Sequence, residues 1–115
     1  MAALLVSCTE SQGWSRISPA DLAREISTAG NELVIVDVRE PELYRAGHIP
    51  GAINLPYPDS KTSFSTRLEP GQNIVFVCHG GPMGDEMASI LVKNGYLQVR
   101  NLEAGMKQWT GPMER

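Results

Sequence analysis

Two stretches of the chain are apolar at almost every position. Residues 33–38 read Leu-Val-Ile-Val-Asp-Val, and residues 74–77 read Ile-Val-Phe-Val. Runs of this length without alternation predict strands buried on both faces, as in a parallel sheet covered by helices. Residues 52–55 and 98–102 are shorter strand candidates. Between these runs the pattern turns helical. Ser18 is a good N-cap, Pro19 suits the first helical position, and Asp21 complements the positive end of a helix. Ile17 and Leu22 stand where a hydrophobic staple would form, Leu22 and Ile26 share one face, and Gly30 is the expected stop. Residues 41–46 predict a short helix ended by Gly47, and the polar stretch 56–71 holds one more candidate at 64–68. Residues 80–84 contain three glycines and one proline and predict an irregular loop. Met87, Ile90 and Leu91 then recur at helical spacing up to Gly95, and residues 105–109 suggest a final short helix. Strands alternating with helices define an α/β class around a mostly parallel sheet.

Composition narrows the function. The chain has 115 residues, enough for one domain with its own core. No repeat or linker divides it, so residues 1–16 read as a loose N-terminal extension and 17–115 as a single domain. Net charge is −3 with only 10 Lys plus Arg and no basic run, which argues against a nucleic-acid partner. No apolar run approaches the roughly 18 residues of a membrane span. Two cysteines, Cys8 and Cys78, make no disulfide framework, and with only His48 and His79 beside them no metal site is expected. Leu5-Val6-Ser7-Cys8 looks like a lipoprotein cleavage box, but seven residues precede Cys8 and none is basic. The expected compartment is the cytoplasm; a periplasmic lipoprotein is the alternative if Cys8 belongs to a truncated signal.

The chemistry centres on Cys78. It falls at the carboxyl end of a buried strand, where open α/β sheets bind their ligands. A glycine-rich loop and a helix start follow. Glycines let successive N–H groups converge on one point, and a helix N-terminus adds partial positive charge. Both favour a thiolate, or a persulfide anion Cys–S–S⁻, over the neutral group. Pro82 has no N–H and leaves a gap in that ring of donors. The plainer reading is that Cys78 fills a strand end as a small apolar residue. Phosphatases built on a similar cysteine loop need an Arg six residues after the cysteine. That position is Gly84, and no Arg occurs between Arg67 and Arg100. Asp37, inside an apolar strand, must find partners when buried. Arg39 either bonds loop backbone or points into the pocket. His48 is placed to order the loop around Pro50-Gly51, Met83 and Met87 line a pocket or the core, and Trp109 packs.

Four segments, in order, resemble the rhodanese-like family in its single-domain form: Asp37-Val38-Arg39-Glu40-Pro41, Gly47-His48-Ile49-Pro50-Gly51-Ala52-Ile53-Asn54, the loop starting at Cys78, and Leu102-Glu103-Ala104-Gly105-Met106 with Trp109. The resemblance implies a three-layer fold, with five mostly parallel strands flanked by helices. It implies that Cys78 is the nucleophile and carrier of a sulfane sulfur, cradled by the N–H groups of His79, Gly80, Gly81, Met83 and Gly84. Arg39 becomes a structural residue or a substrate contact, and Asp37 and His48 become structural supports. Loop length agrees with sulfurtransferases rather than phosphatases. Active relatives commonly carry Arg at the position of Met83 and Ser at that of Gly84. Met83 removes a charge that would attract anionic donors.

The implied activity is sulfur transfer from a thiosulfate- or persulfide-type donor to a thiol or cyanide acceptor. It needs no cofactor and fits a monomer, with a partner protein as a further donor or acceptor. The alternative is a catalytically weak recognition module or persulfide carrier.

Overall fold

The computed structural model describes residues 13–28 and 32–115. Cys8 and its cleavage-box-like surroundings lie outside the described residues, as does Gly30. Five parallel strands form one sheet: β1 (Ser15–Ile17), β2 (Leu33–Asp37), β3 (Ile53–Asn54), β4 (Asn73–Val77) and β5 (Gln98–Leu102). Their order across the sheet is β1-β5-β4-β2-β3. Four helices connect them: α1 (Pro19–Thr28), α2 (Pro41–Ala46), α3 (Ser60–Arg67) and α4 (Pro82–Lys93). A 3₁₀ helix, Gly105–Gln108, closes the fold.

Successive strand residues point to opposite faces, which explains the unbroken apolar runs. Val36, Val38, Ile74 and Phe76 join Phe64 of α3 and Met87 and Leu91 of α4 in one core. Ile35, Val75 and Val77 join Leu22 of α1, Ile49, Leu102 and Trp109 in the other. The α1 start is as the sequence predicts. The Asp21 N–H donates to Ser18 Oγ at 3.1 Å, and Ile17 and Leu22 are buried in the same core.

Two expectations change. Residues 15–17 form an edge strand paired with β5, so the sheet begins inside the segment read as a loose extension. Only Ile17 of the three is buried, so no alternation betrays the strand. Residues 82–84 belong to α4 rather than to an irregular loop. Proline is preorganised for the first helical position, and Gly84 faces the side chain of Asn101 so closely that a Cβ would lie 1.9 Å from its Oδ1.

Strand order sets the location of the site. From β2 the chain moves outward to β3, and from β4 it moves the other way to β5. The crevice between the carboxyl ends of β2 and β4 is therefore a topological switch point, where such sheets bind ligands.

Candidate active site

Cys78 follows β4 at this crevice and is 1% exposed. Its Sγ accepts a hydrogen bond from the Gly81 N–H at 3.0 Å. Gly81 sits at φ +125°, a conformation open to glycine and strained for other residues. The first backbone bond at the head of α4 runs from the Asp85 N–H to the Gly81 carbonyl at 3.0 Å. Met83 and Gly84 precede it in the first turn, where amides have no intrahelical acceptor. Those amides and the positive end of α4 thus start within a few residues of Sγ. The Gly81–Pro82 peptide adds a carbonyl but no N–H, which is the gap expected at Pro82.

The loop is held from behind. The Cys78 carbonyl accepts from the Met106 N–H at 2.8 Å, and the His79 carbonyl from the Lys107 N–H at 3.0 Å. Within one trans peptide the C=O and N–H point opposite ways. The N–H groups of His79 and Gly80 are therefore turned away from the 3₁₀ helix. Gly105 permits this approach: a Cβ there would lie 2.3 Å from the Cys78 oxygen, and its φ is +56°. Sequence reading placed Gly105 in a family signature without a role. Its contact with the loop spans 27 residues of chain and leaves no local spacing signal. Asn101 carries no such signal either, because it follows Arg100 and reads as one more polar residue of a short strand.

The other expected residues fall in two places. His79 stands at the rim, 52% exposed by side chain, with Nε2 at 3.2 Å from Glu40 Oε1. This contact holds the Glu40 carboxyl below its ordinary range. Gly80 lies beside the Lys107 side chain, and Met83 packs partly buried against the core under α4. Arg39, read as a structural bond former or a substrate contact, is buried. Its Nη2 donates to Asp37 Oδ2 at 2.7 Å and to the Gly47 carbonyl at 2.8 Å. Asp37 also accepts from the Arg39 backbone N–H and Nε at 3.0 Å. The pair is engaged with itself and with the α2 end rather than with Cys78. His48 lies farther away, stacked on Tyr44 with ring centroids 3.8 Å apart. Its backbone pairs with Glu114, whose carboxylate also accepts from the Gly51 N–H at 3.1 Å. Glu114 thus links the His48 backbone to Gly51, in the loop His48 was expected to order.

A buried cysteine after a central parallel strand, beside a glycine turn and a helix start, agrees with the rhodanese-like family. The chain belongs to that family: the rhodanese-like domain model matches residues 18–112. The thiosulfate sulfurtransferase GlpE of Pseudoalteromonas translucida (strain TAC 125) is 36% identical over 78 residues, covering 68% of this chain and 73% of that one. The Bacillus subtilis (strain 168) protein named "Putative sulfur carrier protein YrkF" is 35% identical over 82 residues. This chain spans 44% of that protein's length, and the match covers 71% of this chain. The crystal structure of the Alr3790 protein from Anabaena sp. superposes with a TM-score of 0.78 at 27% identity, covering 85% of this chain and 81% of that one. These two curated relatives are named for sulfur carriage and for sulfur transfer. No helix among the described residues is long and apolar enough to cross a membrane.

Proposed function

We propose that this protein is a sulfurtransferase that carries sulfane sulfur as a persulfide on Cys78. The observation behind this reading is the Gly81 N–H donated to Cys78 Sγ at 3.0 Å, at the head of α4. The thiol proton leaves to solvent, and the Cys78 thiolate attacks the outer sulfur of the donor. A new S–S bond forms as the donor's S–S bond breaks, releasing sulfite from thiosulfate or a thiolate from a persulfide. An acceptor thiolate, or cyanide, then attacks the outer sulfur of the Cys78 persulfide. The sulfur departs as a new persulfide or as thiocyanate, and the Cys78 thiolate is restored. The amides of His79, Gly80, Gly81, Met83 and Gly84 stabilise the anionic sulfur through this cycle. Asp37, Arg39 and His48 hold the flanking loops. No step calls for a cofactor.

The donor follows from Met83. A thioether at the second position of α4 offers soft apolar contact and no charge. Thiosulfate, a dianion, loses the cation that would draw it in. A low-molecular-weight or protein-borne persulfide suits the site better, and transfer to a dedicated partner protein fits the relative named for sulfur carriage. A free, reactive cysteine of this kind fits a reducing compartment, the cytoplasm. The test compares sulfur loading of the parent and Met83→Arg proteins by intact mass. Loading from thiosulfate should rise about tenfold in the variant, the scale of one charge-assisted contact, while loading from glutathione persulfide changes little. Equal, efficient loading of the parent from both donors would overturn the donor assignment.

A further inference from the structure

We propose that Asn101 is a positioning residue for the cysteine site, resting on the sulfur-transfer reading above. Its side-chain amide holds the Gly81 carbonyl and so aims the neighbouring Gly81 N–H at the Cys78 sulfur. Asn101 lies on β5, fully buried, on the sheet face that α4 covers. Its Nδ2 donates to the Gly81 carbonyl at 2.9 Å and to Asp85 Oδ1 at 2.8 Å. Both amide hydrogens are thus used.

The oxygen end of the same side chain has the opposite fate. Asn101 Oδ1 is buried without a hydrogen-bond partner among the described residues. A buried polar atom left unpaired is unfavourable and needs a reason. An apolar residue would fill the space on β5 without that defect. The nitrogen end is therefore what this position is for. Gly84 independently points the same way. Glycine is a poor residue inside a helix, yet any side chain here would collide with Asn101, its Cβ only 1.9 Å from Oδ1. The helix gives up a side chain and thereby admits the amide.

The hold extends beyond Asn101. Asp85, its second acceptor, also takes Nη2 of Arg16 from β1 at 2.8 Å and Nε at 3.3 Å. Arg16 and Asn101 are register partners across β1 and β5. The edge strand, the inner strand and the head of α4 are thus bonded around one peptide. That peptide follows a glycine with φ +125°, and Asn101 is the second donor to a carbonyl that also accepts the Asp85 N–H at 3.0 Å. The backbone bonds from Met106 and Lys107 fix the first half of the loop, and Asn101 fixes the second.

The experiment measures Cys78 alkylation by iodoacetamide from pH 6 to pH 10, sulfur loading from glutathione persulfide, and Tm. Asn101→Ala should slow alkylation about tenfold at pH 7. The gap should narrow towards pH 10, where high pH rather than the loop drives formation of the thiolate. Loading should slow by a similar factor. Gly84→Ala displaces the amide without changing its chemistry and should give the same pH-dependent deficit. The double variant should be no slower than the worse single one. If Asn101→Ala does not fold, Gly84→Ala and Asn101→Ser supply the same comparison. Unchanged alkylation and loading in folded variants, or a deficit equal at every pH, would overturn the proposal. A parent protein that takes up no sulfur, with Asn101→Ala still altering alkylation below pH 8, would support the positioning role and remove the sulfur-transfer reading instead.

Discussion

At Gly105 a single hydrogen atom decides whether the cysteine loop can be held. The residue has φ +56°, and a Cβ would fall 2.3 Å from the Cys78 oxygen and 2.7 Å from the His79 carbonyl carbon. Both atoms belong to backbone, so neither can swing aside as a flexible side chain would. Gly105→Ala therefore combines left-handed strain with a collision inside the site. The expected loss is at least about 2 kcal/mol, or roughly 8 °C in Tm. Sulfur loading should fall beyond what the stability loss explains, because the Met106 and Lys107 amides would be pushed off the loop carbonyls. Thermal unfolding followed by intact mass at a temperature where the variant is folded checks both. Unchanged Tm and loading would show that the 3₁₀ helix does not hold the loop. The buried Arg39–Asp37 pair works on the same scale but on different backbone, tying the end of β2 to the end of α2 through the Gly47 carbonyl.

Elements are joined by a few polar bonds laid over the two apolar cores. Arg100 of β5 reaches α1, donating from Nη1 and Nη2 to the Glu25 carboxylate at 2.7 and 2.9 Å. The Arg100 bond holds the Glu25 carboxyl below its ordinary range. A depressed carboxyl contributes stability that is present above its unfolded value, about 4.3, and lost as pH falls through the folded value. Because the Glu25 side chain is 36% exposed, solvent screens the pair and its worth is at most about 1 kcal/mol. Glu25→Gln should be less stable than the parent by up to that amount at pH 7. The difference should shrink at pH 3, below the unfolded value, as the folded carboxyl approaches its own titration. Urea unfolding at the two pH values measures it, and a difference undiminished at pH 3 would assign the contact to packing. The same scale shows what local sequence conceals. β2, β4 and β5 were legible because core residues dictate them from both sides. β1 was not, because a three-residue edge strand with one buried side chain carries no periodic signal. The start of α4 was misread because glycine and proline usually break helices. Here proline opens the helix, and Gly84 makes way for a residue 17 positions later.

For the molecule as a whole, the sheet order delivers the carboxyl ends of β2 and β4 side by side, and the cysteine follows one of them. That placement could be read in advance, since strand, glycine loop and helix follow one another in sequence. The supports behind the loop could not, because Met106, Lys107 and Asn101 reach it only through the folded sheet. Four short segments in order identified the family, yet they did not reveal that Arg39 is occupied by Asp37 and Gly47. Arg16, Asp85 and Asn101 also tie the edge strand to the site. The proposed cycle turns on Cys78 as the carrier of the sulfur. The most direct measurement is intact mass of the reduced protein after incubation with glutathione persulfide or thiosulfate, beside Cys78→Ser. The expected result is a gain of one sulfur atom, larger with the persulfide donor, that disappears on added cyanide and never forms in Cys78→Ser. The same gain in Cys78→Ser, or none in the folded parent from either donor, would contradict it.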